Sequence, residues 1–191
     1  MSTGLLGGTF NPPHNAHVLL ADTAKRHFDL DELRILVAAS PPHKDVDVDA
    51  DTRVVLTKLA FPDDIVVRDD EPYSIDGVSG FGEDAIFLVG ADQFAAFLSW
   101  ERPDELLEKV RLGVATRPGY PREVLDGVLS QLRRPERVEL FAMEPAPISS
   151  SEIRAQVALG EPIDALVPAA VAEEIERRGL YRRDRGYSGA A

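Results

Sequence analysis

The sequence predicts an α/β fold, a single doubly wound parallel sheet with helices on both faces, and three observations lead to that prediction. Short apolar runs alternate with longer amphipathic segments, which is the pattern of repeated βαβ units. A Gly-Gly pair follows the first apolar run and precedes a helix. Loops at residues 7–17, 39–44, 90–92 and 116–120 each follow a predicted strand. Because ligands bind beyond the carboxyl ends of parallel strands, these loops predict one composite site.

The first half of the chain alternates strictly between the two kinds of element. We expect, in order, a strand at 4–6, a helix at 14–28, a strand at 33–38, a helix at 51–61 and a strand at 65–68. The first helix follows from Ala16, Leu20 and Ala24, which share one face at helical spacing. The second helix begins with acidic residues, which helix N-termini favour.

The second half starts with an unusual crossover. Pro72, Gly77, Gly80 and Gly82 leave room for only a turn or two of helix between two parallel strands. After it we expect strands at 85–89, 112–116 and 138–142, and helices at 92–98, 103–109, 121–132 and 168–178. A further helix opens within residues 148–154, where Ser149 and Glu152 match a capping box. Gly179 ends the last helix, with Leu180 as its apolar partner.

Composition excludes several classes of partner. The 191 residues suffice for one domain, expected at 1–181 and followed by a disordered tail at 182–191. The formal charge of −12 argues against nucleic-acid and anionic-membrane partners. There is no cysteine, so thiolate metal sites and disulfides are excluded. We see no signal peptide or membrane span and expect a cytoplasmic protein; a homo-oligomer is left open.

The start of the chain carries the strongest chemical signal. Gly7 and Gly8 let the backbone approach a ligand closely and offer N–H groups. Pro13 stands where a helix begins, and His14 and His17 share one face of its first turn. Backbone N–H groups, the helix dipole and two imidazoles together suit a phosphate.

This segment resembles the (H/T)xGH motif of the nucleotidyltransferase superfamily, in the form used by nicotinate mononucleotide adenylyltransferases. Asn11 stands where aspartate is commoner, and Ala16 stands where glycine is usual. Further motifs resemble the same family in the same order, between Gly7 and Tyr181. They are Pro41-Pro42-His43-Lys44, Gly90-Ala91-Asp92, Thr116-Arg117-Pro118-Gly119-Tyr120 and Ile148-Ser149-Ser150 with Ile153-Arg154.

The resemblance implies a role for each motif. It implies that His17, His14 and Lys44 are catalytic. The implied ATP contacts are Gly7, Gly8, Thr9, Phe10, His14, His17, Lys44, Gly90, Asp92, Ile148, Ser149, Ser150 and Arg154. The implied acceptor contacts are Asn11, Tyr73, Ser74, Asp76, Trp100 and Arg117. In the acceptor segment, Gly77 departs from the family's threonine.

Taken alone, several of these residues have plainer interpretations. Lys44 could be a solvated loop lysine, Asp92 a helix N-cap and Trp100 a core aromatic. Residues 149–154 could form nothing more than a helix cap.

The resemblance also implies the reaction. The phosphate of nicotinate mononucleotide attacks the α-phosphate of ATP, which yields deamido-NAD and pyrophosphate in NAD biosynthesis. Mg²⁺ would accompany ATP and keep most of its waters, so no metal site made of protein ligands is expected. Two alternatives stay open. The acceptor could be nicotinamide mononucleotide or another small phosphate ester, or the chain could be a non-catalytic nucleotide-binding regulatory module.

Overall fold

A computed structural model describes residues 1–41, 46, 48–71 and 73–182 of the protein. Six strands form one sheet: β1 (Thr3–Gly8), β2 (Glu32–Ala38), β3 (Ile65–Asp69), β4 (Ile86–Gly90), β5 (Arg111–Thr116) and β6 (Val138–Ala142). Their order across the sheet is β3-β2-β1-β4-β5-β6, and every neighbouring pair is parallel. The predicted doubly wound parallel sheet is confirmed.

The strand order reverses direction at β1. Gly8 lies opposite Val37 of β2 on one side, and Leu6 lies opposite Leu88 of β4 on the other. Chain crossovers therefore leave this point in both directions, and a crevice opens beyond the ends of β1 and β4. The loops that follow these two strands lie at that crevice.

The described part of the chain contains eight α-helices, of which the last two follow β6. They are α1 (Asn15–Phe28), α2 (Ala50–Ala60), α3 (Ser74–Gly77), α4 (Ala91–Ala95), α5 (Pro103–Lys109), α6 (Arg122–Leu129), α7 (Ser150–Leu159) and α8 (Ala169–Arg178). Short 3₁₀ segments occur at Phe97–Ser99 and Pro135–Arg137. None of the helices among the described residues is both long and apolar enough to cross a membrane.

The sheet separates two apolar cores. Leu6 and the alternate residues of β2 pack against α1, α2, α7 and α8, whereas Leu5 and Leu36 pack on the opposite side with α3 to α6. Successive side chains of a strand point to opposite faces, so a strand buried on both faces is apolar throughout. Leu5, Leu6 and the run Ile35–Val37 satisfy that requirement.

Local sequence determines where the helices begin and end. The Asp49 carboxylate accepts from the Thr52 N–H at 2.9 Å and caps α2. Ser149 caps α7 as predicted, since its Oγ accepts from the Glu152 N–H at 3.2 Å, and its hydroxyl donates to the Glu152 carboxylate. The last helix ends at Gly179 with φ of 64°, and the Leu180 N–H returns to the Ile175 carbonyl.

Two predicted helices differ from the structure, and a third predicted element, the crossover after β3, bears on the site. Residues 92–98 are not one helix, because α4 stops at Ala95 and a 3₁₀ turn follows. Helix 121–132 is shorter than predicted, because N–H groups at 131 and 132 bond three residues back and tighten its end into turns. The crossover after β3 holds only the one-turn α3, as predicted. Of the predicted tail, residues 183–191 lie outside the described residues.

Candidate active site

The loop after β1 is shaped by the side chain of Phe10. Its ring is buried and packs against Phe61 and His17, with ring centroids 6.1 and 4.9 Å away. A Cβ at Gly8 would lie 3.0 Å from two atoms of the Phe10 ring, which explains the glycine. Phe10 itself has φ of 50°, in the left-handed region that few residues other than glycine adopt. Because the Phe10 ring is buried, the ATP contact predicted for this residue would have to come from its main chain.

The two predicted histidines lie together at the start of α1. His14 occupies the N-cap position, and its ring stacks on that of His17 with centroids 3.7 Å apart. The His14 backbone N–H donates to His17 Nδ1 at 3.2 Å. A neutral imidazole that accepts at Nδ1 carries its hydrogen on Nε2, so Nε2–H is the donor atom of His17.

His14 is uncharged at neutral pH. Its side chain is only 6% exposed, and burial lowers its pKa from 6.5 to about 4. Among the described residues no group hydrogen-bonds to His14 Nδ1, which is buried. An unpartnered buried nitrogen is satisfied in proteins by a water or a ligand. His14 can therefore offer a hydrogen bond to a ligand, and the positive charge of the site must come from other residues.

Three side chains from distant parts of the chain hold the segment Asn11-Pro12. Ser150 Oγ donates to the Pro12 carbonyl, Arg154 Nη1 donates to the Asn11 carbonyl, and Tyr181 Oη donates to Asn11 Oδ1, each at 2.8 Å. The first two belong to the first turns of α7. The amino end of that helix, where the dipole favours anions, thus lies beside the histidine loop. Ile148 precedes the cap and packs against the first core.

A fourth residue that holds this loop, Arg53 of α2, was not predicted. Its side chain is fully buried, with 0% exposure. Its guanidinium donates to the carbonyls of Thr9, Ala38, Ala39 and Val48 at 2.7 to 3.1 Å. The sequence does contain a signal for it. Arg53 shares the buried face of α2 with Leu56, Thr57 and Ala60, and a cation on an apolar stripe needs internal partners.

The end of β4 carries Gly90 and Asp92. Gly90 is the N-cap of α4 and its N–H donates to Gln93 Oε1 at 3.2 Å, so the interpretation of Asp92 as the N-cap is wrong. Asp92 is exposed in the first turn of α4, beside the hydroxyl of Tyr120. Burial, followed by the charge of Asp92, raises the pKa of Tyr120. Arg117 is exposed at the end of the neighbouring strand β5.

The predicted acceptor segment is the one-turn α3. Tyr73 is the N-cap and is 41% exposed, and Ser74 begins the helix. The Asp76 carboxylate accepts from Arg102 Nη2 at 2.8 Å, and this hydrogen bond is the main reason why the pKa of Arg102 is raised. Arg102 lies two residues after Trp100 and is the N-cap of α5, with φ of 50°. The ion pair therefore connects α3 to the tryptophan segment.

The position of Trp100 is compatible with both of its interpretations, as a core aromatic and as a contact of the acceptor. It is half-buried, and its ring packs against Phe97 and Phe87 at 5.3 and 6.3 Å between centroids. It therefore borders the second core rather than filling it.

Gly77 has a local structural reason. A Cβ at this position would lie 2.6 Å from Asp69 Oδ2, so the carboxyl group at the end of β3 occupies the space that the family's threonine would need. Burial raises the pKa of that carboxyl group. The glycine that this chain has in place of the family's threonine thus leaves room for the Asp69 carboxyl group.

Two features fall outside this picture. Lys44 lies outside the described residues. A groove of about 970 Å³ between α7 and α8 is lined by residues 157–164 and by parts of α8, and none of the predicted site residues is among them. The candidate site is therefore the crevice beyond β1 and β4.

Comparison with known proteins identifies the class first. The cytidylyltransferase-like family model matches residues 5–156, most of the chain, so the protein is a nucleotidyltransferase. The nicotinate-nucleotide adenylyltransferase of Exiguobacterium sibiricum is 35% identical to this chain and covers 95% of it, with 99% of that protein matched. The corresponding protein of Bordetella avium is 34% identical, with 94% and 97% covered. The chain belongs to the nicotinate-nucleotide adenylyltransferase family.

Solved structures agree on the fold. Plasmodium falciparum nicotinic acid mononucleotide adenylyltransferase complexed with NaAD superposes with a TM-score of 0.76 at 15% sequence identity, over 94% of this chain and 97% of that one. The family, fold and enzyme class predicted from the sequence are confirmed.

Proposed function

We propose that this enzyme transfers the adenylyl group of ATP to nicotinate mononucleotide. A phosphate oxygen of the acceptor attacks the α-phosphorus of ATP, a P–O–P bond forms, and the bond from the α-phosphorus to the bridging oxygen breaks as pyrophosphate leaves. The observation that carries this proposal is the meeting of two phosphate-binding elements. Ser150 and Arg154 hydrogen-bond directly to the loop that carries His14 and His17.

Catalysis in this proposal needs no covalent intermediate. His17 donates through Nε2–H to the α-phosphate as negative charge builds there, and neutral His14 helps to hold the phosphates. The main chain of residues 7–10 offers N–H groups to the same anions. Lys44, Arg154 and the amino end of α7, with Ser149 and Ser150, neutralise the departing pyrophosphate, while Ile148, Gly90 and Asp92 contact the adenosine part.

The acceptor side of the proposal rests on fewer groups. The α3 segment, with Tyr73, Ser74 and Asp76, would face the pyridine carboxylate with backbone N–H groups, and Trp100 would stack on the ring. Asn11 would contribute through Nδ2, since its Oδ1 accepts from Tyr181. Arg117 would stand near the acceptor phosphate as a cation.

Mg²⁺ is proposed as the companion of ATP. Among the residues that the structure describes, no cluster of three or more His, Asp or Glu side chains is placed to hold a metal ion. Mg²⁺ would be bound mainly by the phosphates of ATP and by water, and it would neutralise charge there. A cytoplasmic location, and the expectation of neither nucleic-acid nor membrane partners, stay predictions of the sequence.

An acceptor screen tests the proposal. The purified protein is incubated with ATP, Mg²⁺ and either nicotinate mononucleotide, nicotinamide mononucleotide or simple phosphate esters, and pyrophosphate and dinucleotide products are quantified. We expect deamido-NAD from nicotinate mononucleotide, formed roughly 10²–10³-fold more slowly by the His17→Ala variant. Turnover with another phosphate ester alone would mean that this ester, and not nicotinate mononucleotide, is the acceptor. Nucleotide binding without any turnover would favour a regulatory module.

A further inference from the structure

The most unusual side chain outside the predicted site is the guanidinium of Arg53. It is the largest fully buried side chain, although it carries a charge. All four of its hydrogen bonds go to main-chain carbonyls, two of them from Nη1. Burial lowers its pKa, and the nearby charges of Tyr181 and Asp49 oppose that shift, but an arginine stays protonated at neutral pH. A buried cation with this many partners has a specific structural task.

The carbonyls that Arg53 contacts come from the two loops that carry the predicted catalytic residues. Thr9 belongs to the loop between β1 and α1, which leads to His14 and His17. Ala38 and Ala39 end β2 and begin the loop that leads to Lys44. One guanidinium therefore sets the distance between the ends of two neighbouring strands on the site side of the sheet.

The bond to Thr9 also determines the direction of the next peptide N–H. In a planar trans peptide, the carbonyl oxygen of one residue and the N–H of the following residue point in opposite directions. Because Arg53 binds the Thr9 carbonyl, the Phe10 N–H points away from the buried guanidinium. Among the described residues, no acceptor is bonded to this N–H. Phe10 has φ of 50°, a conformation that needs support from its surroundings.

We propose that Arg53 is a positioning residue that aims the Phe10 N–H at a phosphate of the reactants and holds the end of β2, at Ala38 and Ala39, at the correct distance from it. Arg53 touches neither substrate. An arginine suits this task because its planar fork presents five N–H donors in fixed directions and so reaches several carbonyls at once. Lysine would keep the charge but could not reproduce those directions.

The kinetic test of this proposal rests on the adenylyl transfer proposed above, whereas the binding test does not depend on it. The binding test follows the Phe10 amide resonance of isotope-labelled wild-type protein during titration with a non-hydrolysable ATP analogue, and separately with nicotinate mononucleotide. We expect one of the two to move that resonance markedly, whether or not the acceptor screen shows turnover. If both ligands bind and neither moves it, the Phe10 N–H does not face a phosphate and the proposal is wrong.

The kinetic test compares Arg53→Lys with Thr57→Val. Thr57 is equally buried one turn further along α2, and its hydroxyl donates to the Arg53 carbonyl, so its replacement perturbs the same helix without touching either loop. Well below the melting temperatures of both variants, we expect Arg53→Lys to lower kcat by about 30-fold or more, the scale of a weakened preorganised donor. The KM for the reactant that leaves the Phe10 resonance unmoved should stay within about threefold, because its own contacts are unaffected.

The result for Thr57→Val separates positioning from mere destabilisation. We expect that variant to lose thermal stability and to keep kcat within about threefold of wild type. If Arg53→Lys keeps wild-type kcat, or if Thr57→Val loses as much kcat at a similar melting temperature, Arg53 only stabilises the fold. If Arg53→Lys does not fold, the wild-type amide titration decides alone.

Discussion

The two sides of the proposed active site are held in place by contacts of different strength. On the proposed ATP side, the loop after β1 receives hydrogen bonds from Arg53, Ser150, Arg154 and Tyr181, which come from α2, α7 and the segment after α8. On the acceptor side, α3 is one turn long and is anchored through a side chain by the Asp76–Arg102 ion pair, with both partners about a third or more exposed. A hydrogen bond from a charged donor contributes about 1.5–3 kcal/mol, whereas an exposed ion pair contributes about 0–1 kcal/mol.

This contrast indicates a division of tasks. The ATP side must place charges for a reaction that every acceptor shares, and positioning is most of what such catalysis requires. The acceptor side must only distinguish one ring substituent from another. We therefore expect substitutions on the ATP side to affect the rate or ATP binding, and substitutions on the acceptor side to affect specificity.

The largest expected effect concerns His17. We expect His17→Ala to lower kcat by roughly 10²–10³-fold, about 2.7–4 kcal/mol, the cost of losing one preorganised donor in the transition state. Binding of ATP should change much less. His27→Ala is the matched control, since His27 lies in the last turn of the same helix, away from the two site histidines, and pairs with Glu139. Steady-state kinetics of both variants measures this effect. Equal kcat values for His17→Ala and His27→Ala would refute the catalytic role of His17.

The next effect concerns the cations of the ATP side. Truncation of Arg154 or of Lys44 to alanine should weaken binding of a non-hydrolysable ATP analogue by about 1.5–3 kcal/mol in calorimetry, as expected for bonds to charged groups. Acceptor binding should suffer less. Arg177→Ala, which removes a surface cation paired with Glu174, controls for net charge. Unchanged analogue binding in both site variants would mean that residues 149–154 only cap α7 and hold the Asn11-Pro12 segment, without binding ATP.

The pH dependence of stability tests the buried state of His14. Its pKa is about 4 in the folded protein and 6.5 in the unfolded chain, so unfolding takes up a proton between these values and stability falls as pH decreases through that window. From pH 7 to pH 5 the free energy of unfolding should fall by about 2 kcal/mol more in wild type than in His14→Asn. Denaturant unfolding at both pH values measures this. If the free energy of unfolding falls equally in the two proteins, the His14 side chain is exposed to water and not buried.

The smallest effect lies on the acceptor side. Nicotinate mononucleotide should be preferred over its amide by at least about tenfold in kcat/KM, or about 1.4 kcal/mol, because a carboxylate gains charge-assisted bonds. Steady-state kinetics with each acceptor at saturating ATP gives this ratio, and the KM for ATP, which should not change, is the internal control. Equal use of both acceptors would show that α3 does not distinguish the carboxylate.

The sequence was sufficient for the order of elements but not for the contacts that hold the site together. Strand β6 was predicted with its observed bounds, and helix 14–28 was only one residue longer than α1, because alternating apolar periods and helix-ending residues are local signals. The break after Ala95 was missed because nothing local distinguishes it from a continuing helix.

The missed residues have a common physical cause. Tyr181 meets Asn11 across 170 positions, and no periodicity reports such a distance. Arg53 could have been suspected from its place on the apolar face of α2, but its carbonyl partners are main-chain atoms that any sequence supplies. Residues that hold other residues by hydrogen bonds to carbonyls therefore leave little trace in sequence patterns.

The contact between Tyr181 and Asn11 also has a consequence for the order of events during synthesis. The last strand of the sheet is complete at residue 142, yet Ser150, Arg154 and Tyr181 all follow it. At about 5–20 residues per second, the ribosome needs roughly 2–8 s more to add the segment up to Tyr181. A nascent chain can therefore hold a finished sheet whose histidine loop has not yet received three of its donors, and that loop is fully held only after Tyr181 has been added.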